Sequence, residues 1–175
     1  SNTLTLRERG IPIHIGHSAD NVTDDISFVI RTAAVHDDNP EVHEAHRRGI
    51  PVFERTQAWG ALMRGYQNAL CISGTHGKTT TTSMCTHIMM AAEKDPTVMI
   101  GGTLPLLKAC HRVGKGNTII MESCEYYNSF LALNPTIAVV LNIEADHLDF
   151  FKDLEDIKHS FRCFAERVPA ETGTV

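Results

Sequence analysis

The sequence predicts an α/β fold with a mainly parallel sheet. Short apolar segments alternate with helical segments along the 175 residues. From residue 68 onward the apolar segments read as continuous buried strands, which is typical of parallel strands covered by helices. A glycine-rich run lies between one of these strands and the helix that follows it. Together these observations favour strand, loop and helix units over an all-helical or all-β protein.

The first third of the chain has a βαβ rhythm. One helix has clear ends, because Asn39 suits the N-cap, Pro40 suits the first helical position and Gly49 suits the C-terminal stop. We therefore predict a helix tail at residues 3–9, strands at residues 11–15, 27–30 and 51–53, and a helix at residues 40–48.

A second unit is predicted from residue 55, so the expected domains are residues 1–54 and 55–175. Its predicted elements are a linking helix at 56–64, strands at 68–73, 97–100, 118–121 and 136–143, and helices at 78–93 and 153–167. The last residues, from Gly173 to Val175, read as the start of another strand. The chain begins with Ser1 inside a helical pattern, and we expect it to be cut at both ends.

Composition excludes some classes of protein. A net charge of −5 and no basic run argue against nucleic acid as a partner. No apolar run approaches the roughly 20 residues that cross a bilayer, and no signal-peptide layout opens the chain, so we expect a cytoplasmic protein without a membrane partner. The cysteines form no C-x-x-C pair, and reduced thiols in or near the core are expected: Cys71, Cys85, Cys110, Cys124 and Cys163.

The strongest local signal is the run from Gly74 to Thr79, which reads Gly-Thr-His-Gly-Lys-Thr. Glycines let the backbone point several N–H groups at one phosphate, and the following helix adds the positive end of its dipole. A strict phosphate loop would have glycine at position 72, where this chain has Ile72, so the match is to a variant loop. The predicted nucleotide-binding residues are Gly74, Thr75, His76, Gly77, Lys78, Thr79 and Thr80.

Two further strands end in groups that suit the same site. Glu122 follows one strand, and Glu144, Asp146 and His147 follow another. In open α/β sheets ligands bind beyond the carboxyl ends of strands, and Mg²⁺ on a triphosphate needs hard oxygen ligands. We therefore predict that Glu122 holds metal or water, while Glu144 or Asp146 could instead cap the segment that follows.

Other histidines give weaker signals. His43 and His46 lie three residues apart on a predicted helix, but no third ligand accompanies them, and a solvated helix face is the preferred interpretation. His14 and His17 lie near the strand predicted at residues 11–15, where His17 could contact a ligand.

These motifs resemble the Mur ligases, and within that family the branch that adds L-alanine. The resemblance rests on four features in matching order along most of the chain. They are Asp38-Asn-Pro-Glu41, Gly-Thr-His-Gly-Lys-Thr-Thr-Thr-Thr at residues 74–82, Glu122 with Ser129-Phe130 downstream, and Asn-Ile-Glu-Ala-Asp-His-Leu-Asp at residues 142–149.

The resemblance implies a three-domain enzyme of peptidoglycan synthesis that uses ATP and Mg²⁺ to join L-alanine to UDP-N-acetylmuramate through an acyl phosphate. Residues 1–54 would be the later part of a Rossmann-like domain for the UDP-sugar, residues 55–175 an incomplete central ATP-binding domain, and the C-terminal ligase domain would be absent. We accordingly expect no ligase turnover from this chain alone. The resemblance says nothing about oligomeric state.

The same resemblance assigns roles to individual residues. Lys78 would stabilise the transferring phosphoryl group, Thr79 and Glu122 would hold the ATP-linked metal, and His147 would serve a second metal. The chain reads Glu-Ser-Cys-Glu-Tyr-Tyr at residues 122–127, where the family commonly has Glu-Ala-Asp-Glu-Ser-Asp. The expected substrate contacts are His76, Glu125 and Tyr126.

Two alternatives remain open from sequence. A murein tripeptide ligase of cell-wall recycling shares the Gly-Thr-His-Gly-Lys-Thr loop, and the amino-acid pocket that would separate the two lies outside this chain. A non-catalytic nucleotide-binding module is the other alternative. Glu122 and His147 argue against it, because a protein that only binds nucleotide needs no second metal position.

Overall fold

The computed structural model describes residues 2–32 and 34–175, without the side chains of Asn2 and Thr5. The chain divides into two compact units, Ser1–Ala58 and Trp59–Val175. The sequence predicted one domain at residues 1–54 and another at residues 55–175, each with its own function. This assignment stays a prediction.

The first unit is built around a short parallel strand pair. It contains α1 (Asn2–Glu8), a 3₁₀ turn at Ala19–Asn21, β1 (Val29–Arg31), α2 (Pro40–Arg47) and β2 (Val52–Glu54). Strand β1 pairs with β2 in parallel, with Val29 opposite Val52. The Asn39 Oδ1 atom accepts from the backbone N–H groups of Glu41 and Val42 at 3.0 and 3.4 Å, as predicted for an N-cap.

The strand predicted at residues 11–15 is wrong, because this segment is irregular in the structure. Ile11 and Ile15 are 46% and 80% exposed, so neither side chain gains the burial that a strand face would give. Pro12 removes one ladder N–H group, and Gly16, with φ of +88°, turns the chain just after the segment. An apolar run alone was therefore insufficient evidence for a strand.

The second unit is an open sheet with helices. Its elements are α3 (Arg55–Met63, which contains the boundary), β3 (Asn68–Ser73), α4 (Lys78–Ala91), β4 (Thr97–Leu104), β5 (Ala109–Arg112), β6 (Thr118–Glu122), a 3₁₀ segment at Tyr126–Ala132, β7 (Ile137–Val140) and α5 (Leu154–Ala165). The strand order is β5-β4-β6-β3-β7. All pairs are parallel except β4 with β5. The predicted α/β class with a mainly parallel sheet is confirmed.

An apolar cluster joins the sheet to α5. Ala69 and Cys71 of β3 lie in this cluster together with aromatic side chains of α5 and of the 3₁₀ segment. Phe130 stacks on Phe164 with ring centroids 4.6 Å apart and meets Phe161 edge to face at 5.3 Å. Because side chains alternate along a strand, the buried Ile72 faces the other side of the sheet. Helix α4 packs against β3, β4 and β6.

Several boundaries follow the prediction closely and others do not. Strand β3 has the predicted bounds, and α4 ends two residues earlier than predicted, at Ala91. Strand β5 was missed because it is a four-residue edge strand without an apolar alternation. Near the end of the chain, Thr174 forms a parallel bridge with Ile137, which agrees with the expected start of a strand.

The cysteines are free, as expected. Cys71 lies in the core, where burial raises the pKa of its thiol to about 12. Cys124 is exposed and so departs from the expected core or near-core position.

Among the described residues, no helix is both long and apolar enough to cross a membrane.

Replacing Phe130 by Ala tests the core of the second unit. This side chain is fully buried between two aromatic rings, and we expect a loss of about 3–5 kcal/mol in the free energy of unfolding. Ile88→Ala is the control, because Ile88 is 65% exposed on α4 and its loss should change the free energy by less than about 0.5 kcal/mol. Urea unfolding followed by circular dichroism measures both, and equal effects would contradict the core assignment.

Candidate nucleotide-binding site

Three strand ends meet at one edge of the sheet. Strand β3 lies between β6 and β7, with Ile72 opposite Glu122 and Ser73 opposite Val140. Since all three strands are parallel, their carboxyl ends lie side by side. The glycine-rich loop after β3, the carboxylate at the end of β6 and the segment after β7 therefore converge, as the sequence predicted.

Asn142 fixes the outer part of the loop. Its Oδ1 atom accepts from the N–H of His76 at 2.8 Å, and its Nδ2 donates to the carbonyl of His76 at 3.0 Å. The N–H of Thr75 donates to the carbonyl of Asn142 at 3.1 Å, and the Thr75 hydroxyl accepts from the N–H of Glu144 at 2.9 Å. The segment after β7 thus holds the loop through backbone and side-chain contacts.

Two glycines give the loop its path. Gly74 has φ of +134° and Gly77 has φ of +86°, values that favour glycine. A Cβ atom on Gly74 would also lie 3.0 Å from the Cβ of Leu141 and 3.2 Å from the backbone of Asn142. The loop therefore packs closely against the chain after β7, and a side chain at position 74 would separate them.

Helix α4 begins directly after the loop. Gly77 is its N-cap and provides no side-chain cap, so the first backbone N–H groups of the helix have no partner from a capping side chain. These N–H groups and the helix dipole form a site that suits a phosphate. Thr82, by contrast, is buried and donates its hydroxyl to the carbonyl of Lys78 at 2.8 Å, so part of the threonine run is structural.

Lys78 forms a largely buried ion pair with Glu125. The Nζ atom lies 3.0 and 3.2 Å from the two carboxylate oxygens, and it also donates to the carbonyls of Gly74 and Thr75 at 2.5 and 3.1 Å. The side chain of Glu125 is only 2% exposed and that of Lys78 is 14% exposed. Separating such a pair is costly, since each partner would be left as a buried charge.

Glu122 is held at both carboxylate oxygens. Its Oε1 accepts from the hydroxyl of Thr79 at 2.8 Å, and its Oε2 accepts from the N–H of Gly101 at 2.7 Å. A Cβ atom on Gly101 would lie 2.6 Å from Oε1 of Glu122, so only glycine permits this approach. The geometry brings together a hydroxyl and a carboxylate, which are hard ligands for a divalent cation.

His147 lies beside Glu125 instead of Glu122. Its Nε2 atom is 3.9 Å from Oε1 of Glu125 and 4.0 Å from Oδ2 of Asp146. The N–H of His147 donates to Oδ1 of Asp146 at 2.7 Å, so this carboxylate has a structural role, as expected for one of the pair with Glu144. The His147 ring stacks on Tyr126 with centroids 4.4 Å apart.

Tyr126 donates its hydroxyl to Asp149. This hydrogen bond, followed by one with Tyr127, raises the pKa of the Tyr126 phenol above its ordinary value. The hydroxyl donor of Tyr126 is therefore already used. The substrate contact predicted for Tyr126 stays a prediction.

The predicted site residues thus fall into two adjoining groups. Thr79 and Glu122 form one, and Lys78, Glu125 and His147 form the other. Among residues 2–32 and 34–175, no three His, Cys, Asp or Glu side chains form a ready-made metal cage. The roles predicted for these residues stay predictions.

Two further predicted contacts lie at the surface. Thr80 is exposed in the first turn of α4, and His76 is exposed with its Nε2 3.7 Å from a carboxylate oxygen of Glu144. Sequence reasoning missed Asn142 and Gly101 as site residues. Gly101 could have been found from the Gly-Gly pair that interrupts an apolar strand, a pattern that marks close approach of another group.

The first unit has its own polar cluster. His17 lies 2.8 Å from one carboxylate oxygen of Glu41, and Asn21 donates to the other at 2.6 Å. Although burial favours the neutral form, the hydrogen bonds from Asn21 and His17 hold the pKa of Glu41 below its usual value. His43 and His46 are exposed, as predicted for a solvated helix face.

Comparison with known proteins gives a consistent result. A profile described as the Mur ligase middle domain matches residues 72–175, and one described as the Mur ligase family, catalytic domain, matches residues 1–67. The UDP-N-acetylmuramate--L-alanine ligase of Lachnospira eligens is 49% identical over 166 residues, which are 95% of this chain and 36% of that protein. The enzyme of the same name from Lachnoclostridium phytofermentans is 50% identical over 164 residues, 94% of this chain and 35% of that protein.

Solved structures show the same fold. The UDP-N-acetylmuramate-alanine ligase from Thermotoga maritima has a TM-score of 0.83 and 33% identity, and the match covers 95% of this chain and 39% of that one. A UDP-N-acetylmuramate:L-alanyl-gamma-D-glutamyl-meso-diaminopimelate ligase from Neisseria meningitides has a TM-score of 0.84 at 24% identity, covering 97% of this chain and 57% of that one. The chain spans about a third of the length of the curated relatives it matches. Because the middle-domain profile alone covers more than half of its residues, the chain belongs to the Mur ligase family.

Proposed function

We propose that this chain supplies the ATP-binding part of a ligase that joins L-alanine to UDP-N-acetylmuramate. The observation that carries the proposal is the convergence of Lys78, Thr79 and Glu122 at the carboxyl edge of the sheet. The choice of substrates is supported by the relatives at 49–50% identity, which are named for that reaction. Residues 1–54 would belong to the part that holds the UDP-sugar.

The triphosphate would lie at the N-terminus of α4. There the backbone N–H groups and the helix dipole attract its oxygens, and Lys78 adds a positive charge. The loop is already shaped, because Asn142 holds His76 and the two glycines adopt the required backbone angles. A preformed loop lowers the entropic cost of binding.

Thr79 and Glu122 are the residues that would hold Mg²⁺. Their side-chain oxygens lie 2.8 Å apart at the helix start and strand end, and Mg²⁺ on a triphosphate takes few protein ligands besides water and phosphate oxygens. When bound, the ion neutralises charge on the phosphate oxygens. Gly101 contributes by fixing the second oxygen of Glu122.

In the proposed reaction, a carboxylate oxygen of the sugar attacks the γ-phosphorus of ATP and ADP leaves. The amine of L-alanine then attacks the acyl carbon, phosphate leaves, and the amine loses a proton. Lys78 would stabilise the negative charge on the transferring group. Glu125 holds the Lys78 ammonium within 3.0 Å and so restricts where that charge lies. His147 adjoins this pair and would face the sugar carboxylate.

The alternatives from the sequence gain no separate support. The likeness to the Neisseria ligase, at 24% identity, concerns the fold alone. A module that only binds Mg²⁺-ATP would need the same placement of Glu122, and the enzyme is favoured by the relatives that are named for the ligase reaction. The lack of ligase turnover by this chain alone stays a prediction.

Lys78→Ala should weaken binding of Mg²⁺-ATP. A hydrogen bond to a charged group contributes about 1.5–3 kcal/mol, so Kd should rise by at least about 10-fold. Lys94→Ala is the control, because Lys94 is an exposed lysine beyond the far end of α4 and its loss removes the same charge. Isothermal calorimetry on the whole chain measures both. Unchanged affinity in the Lys78 variant would contradict the proposed site.

Gly101→Ala tests the placement of Glu122 without changing any charge. The new methyl group would displace the Glu122 carboxylate, and we expect the affinity for ATP to become much less dependent on Mg²⁺. Gly102→Ala is a matched control, since the nearest atom to its added methyl group is Cγ2 of Thr79 at 3.6 Å, an ordinary contact. Calorimetric titrations with and without Mg²⁺ give the readout. Equal Mg²⁺ dependence in the Gly101 variant and wild type would rule out this role for Glu122.

A further inference from the structure

A stacked pair of rings joins the two polar segments at the site. Tyr126 follows Glu125 directly in sequence, and its ring lies against His147 with centroids 4.4 Å apart and planes inclined by 27°. We propose that Tyr126 is a positioning residue that holds the His147 ring beside Glu125, with its hydroxyl bond to Asp149 as the anchor. Only the expected effect of this ring position on metal binding rests on the proposed function.

The backbone of His147 is fixed independently of its ring. His147 has φ of +52°, which is uncommon for a residue with a side chain. Its N–H donates to Asp146, and its carbonyl accepts from the N–H groups of Phe150 and Phe151, both at 2.9 Å. Such a conformation persists only where surrounding contacts hold it, and it often occurs at functional sites.

The ring itself lacks a comparable restraint from polar contacts. Its Nε2 lies 3.9 Å from Glu125 and 4.0 Å from Asp146, beyond hydrogen-bonding distance. The His147 side chain is 32% exposed, so about two thirds of its surface is covered. Rotation about its side-chain bonds would carry Nε2 away from Glu125, and the stacked face of Tyr126 opposes this rotation.

Tyr126 is held more firmly than the ring it supports. Its hydroxyl donates to Asp149, two residues beyond His147, so it spans the turn that carries His147. The Tyr127 ring packs against Tyr126 and Phe150, with centroid distances of 4.4 and 4.9 Å. Tyr127 and Asn128 have φ of +54° and +55°, so the turn that presents Tyr126 is also in the left-handed region.

In this arrangement, Tyr126 does more than fill the space between two turns. Glu125 and Tyr126 come from one turn, and His147 and Asp149 come from the other. The Tyr126 hydroxyl bond fixes the distance between the turns, and the stacked face fixes the orientation of the imidazole. Aromatic pairs stabilise a structure beyond the area that they bury, and this favours one orientation of the ring.

The test is an NMR measurement of the His147 ring on the whole chain, without nucleotide. Tyr126→Leu removes the ring current, and the His147 carbon-bound ring protons should move downfield. Tyr126→Phe keeps the stack but loses the Asp149 bond, and it should restore most of the wild-type shift with broader signals. All variants are measured in the same buffer at the same pH, so that their shifts can be compared directly. His147→Gln assigns the signals.

Tyr127→Leu is the matched control, because it removes an equally large ring from the same cluster. Its effect on the His147 shift should be small. Melting curves identify any variant that has lost its fold. An unchanged His147 shift in Tyr126→Leu, or an equal change in Tyr127→Leu, would overturn the positioning role.

A second measurement tests the consequence at the site. With Mn²⁺ and ATP, the ring signals of His147 should be broadened by the paramagnetic ion, and Tyr126→Leu should weaken the affinity for the second Mn²⁺, which His147 would serve, by about 10-fold, as is typical for a partner that orients a metal ligand. Tyr126→Phe should recover part of that affinity. If wild type binds no nucleotide while the ring shift behaves as expected, the proposed function fails and the positioning stands. If nucleotide binds and Tyr126→Leu leaves the affinity for the second Mn²⁺ unchanged, the positioning has no role at the site.

Discussion

The parallel pairing of β3 with both β6 and β7 is the constraint on which the site depends. It places the glycine-rich loop, Glu122 and the segment from Leu141 onward at one edge. The proposed roles of the loop and of the carboxylate depend on this placement, because a bound triphosphate would use the helix N-terminus and a metal ligand together. The aromatic core beneath this sheet, centred on Phe130, keeps the three strand ends in register.

Close backbone approach sets the finer geometry. Gly74 allows the loop to touch the chain at Asn142, and Gly101 allows β4 to donate to Glu122. Both contacts depend on the missing Cβ atom and not on flexibility, since each places backbone or carboxylate atoms where a methyl group would be. The absence of a side chain at Gly74 and Gly101 therefore contributes to the shape of the site, together with its charged side chains.

The sequence predicted the parts of the site that depend on local pattern. The loop at 74–79, the strand before it and the strand-end acids have strong spacing signals, and β3 and the start of α4 were placed correctly. The pairing of Lys78 with Glu125, the position of His147 beside Glu125 and the anchoring by Asn142 were not predictable, since they depend on side-chain packing between segments far apart in sequence. The strand predicted at residues 11–15 is absent for a related reason. A local apolar run forms a strand only where a partner strand and burial are available, and Ile11 and Ile15 are exposed.

The buried pair of Lys78 and Glu125 limits how the site can respond to a polyanion. The Glu125 carboxylate is 2% exposed, and removing its partner from such a pair costs about 3–5 kcal/mol. A triphosphate that drew Lys78 fully away would leave this carboxylate without its ammonium partner, with the His147 ring 3.9 Å away. A lysine that contacts phosphate while keeping Glu125 avoids that cost. The same argument gives the orientation of His147 its importance, since a ring N–H held beside Glu125 can donate a hydrogen bond to the carboxylate when the ammonium moves.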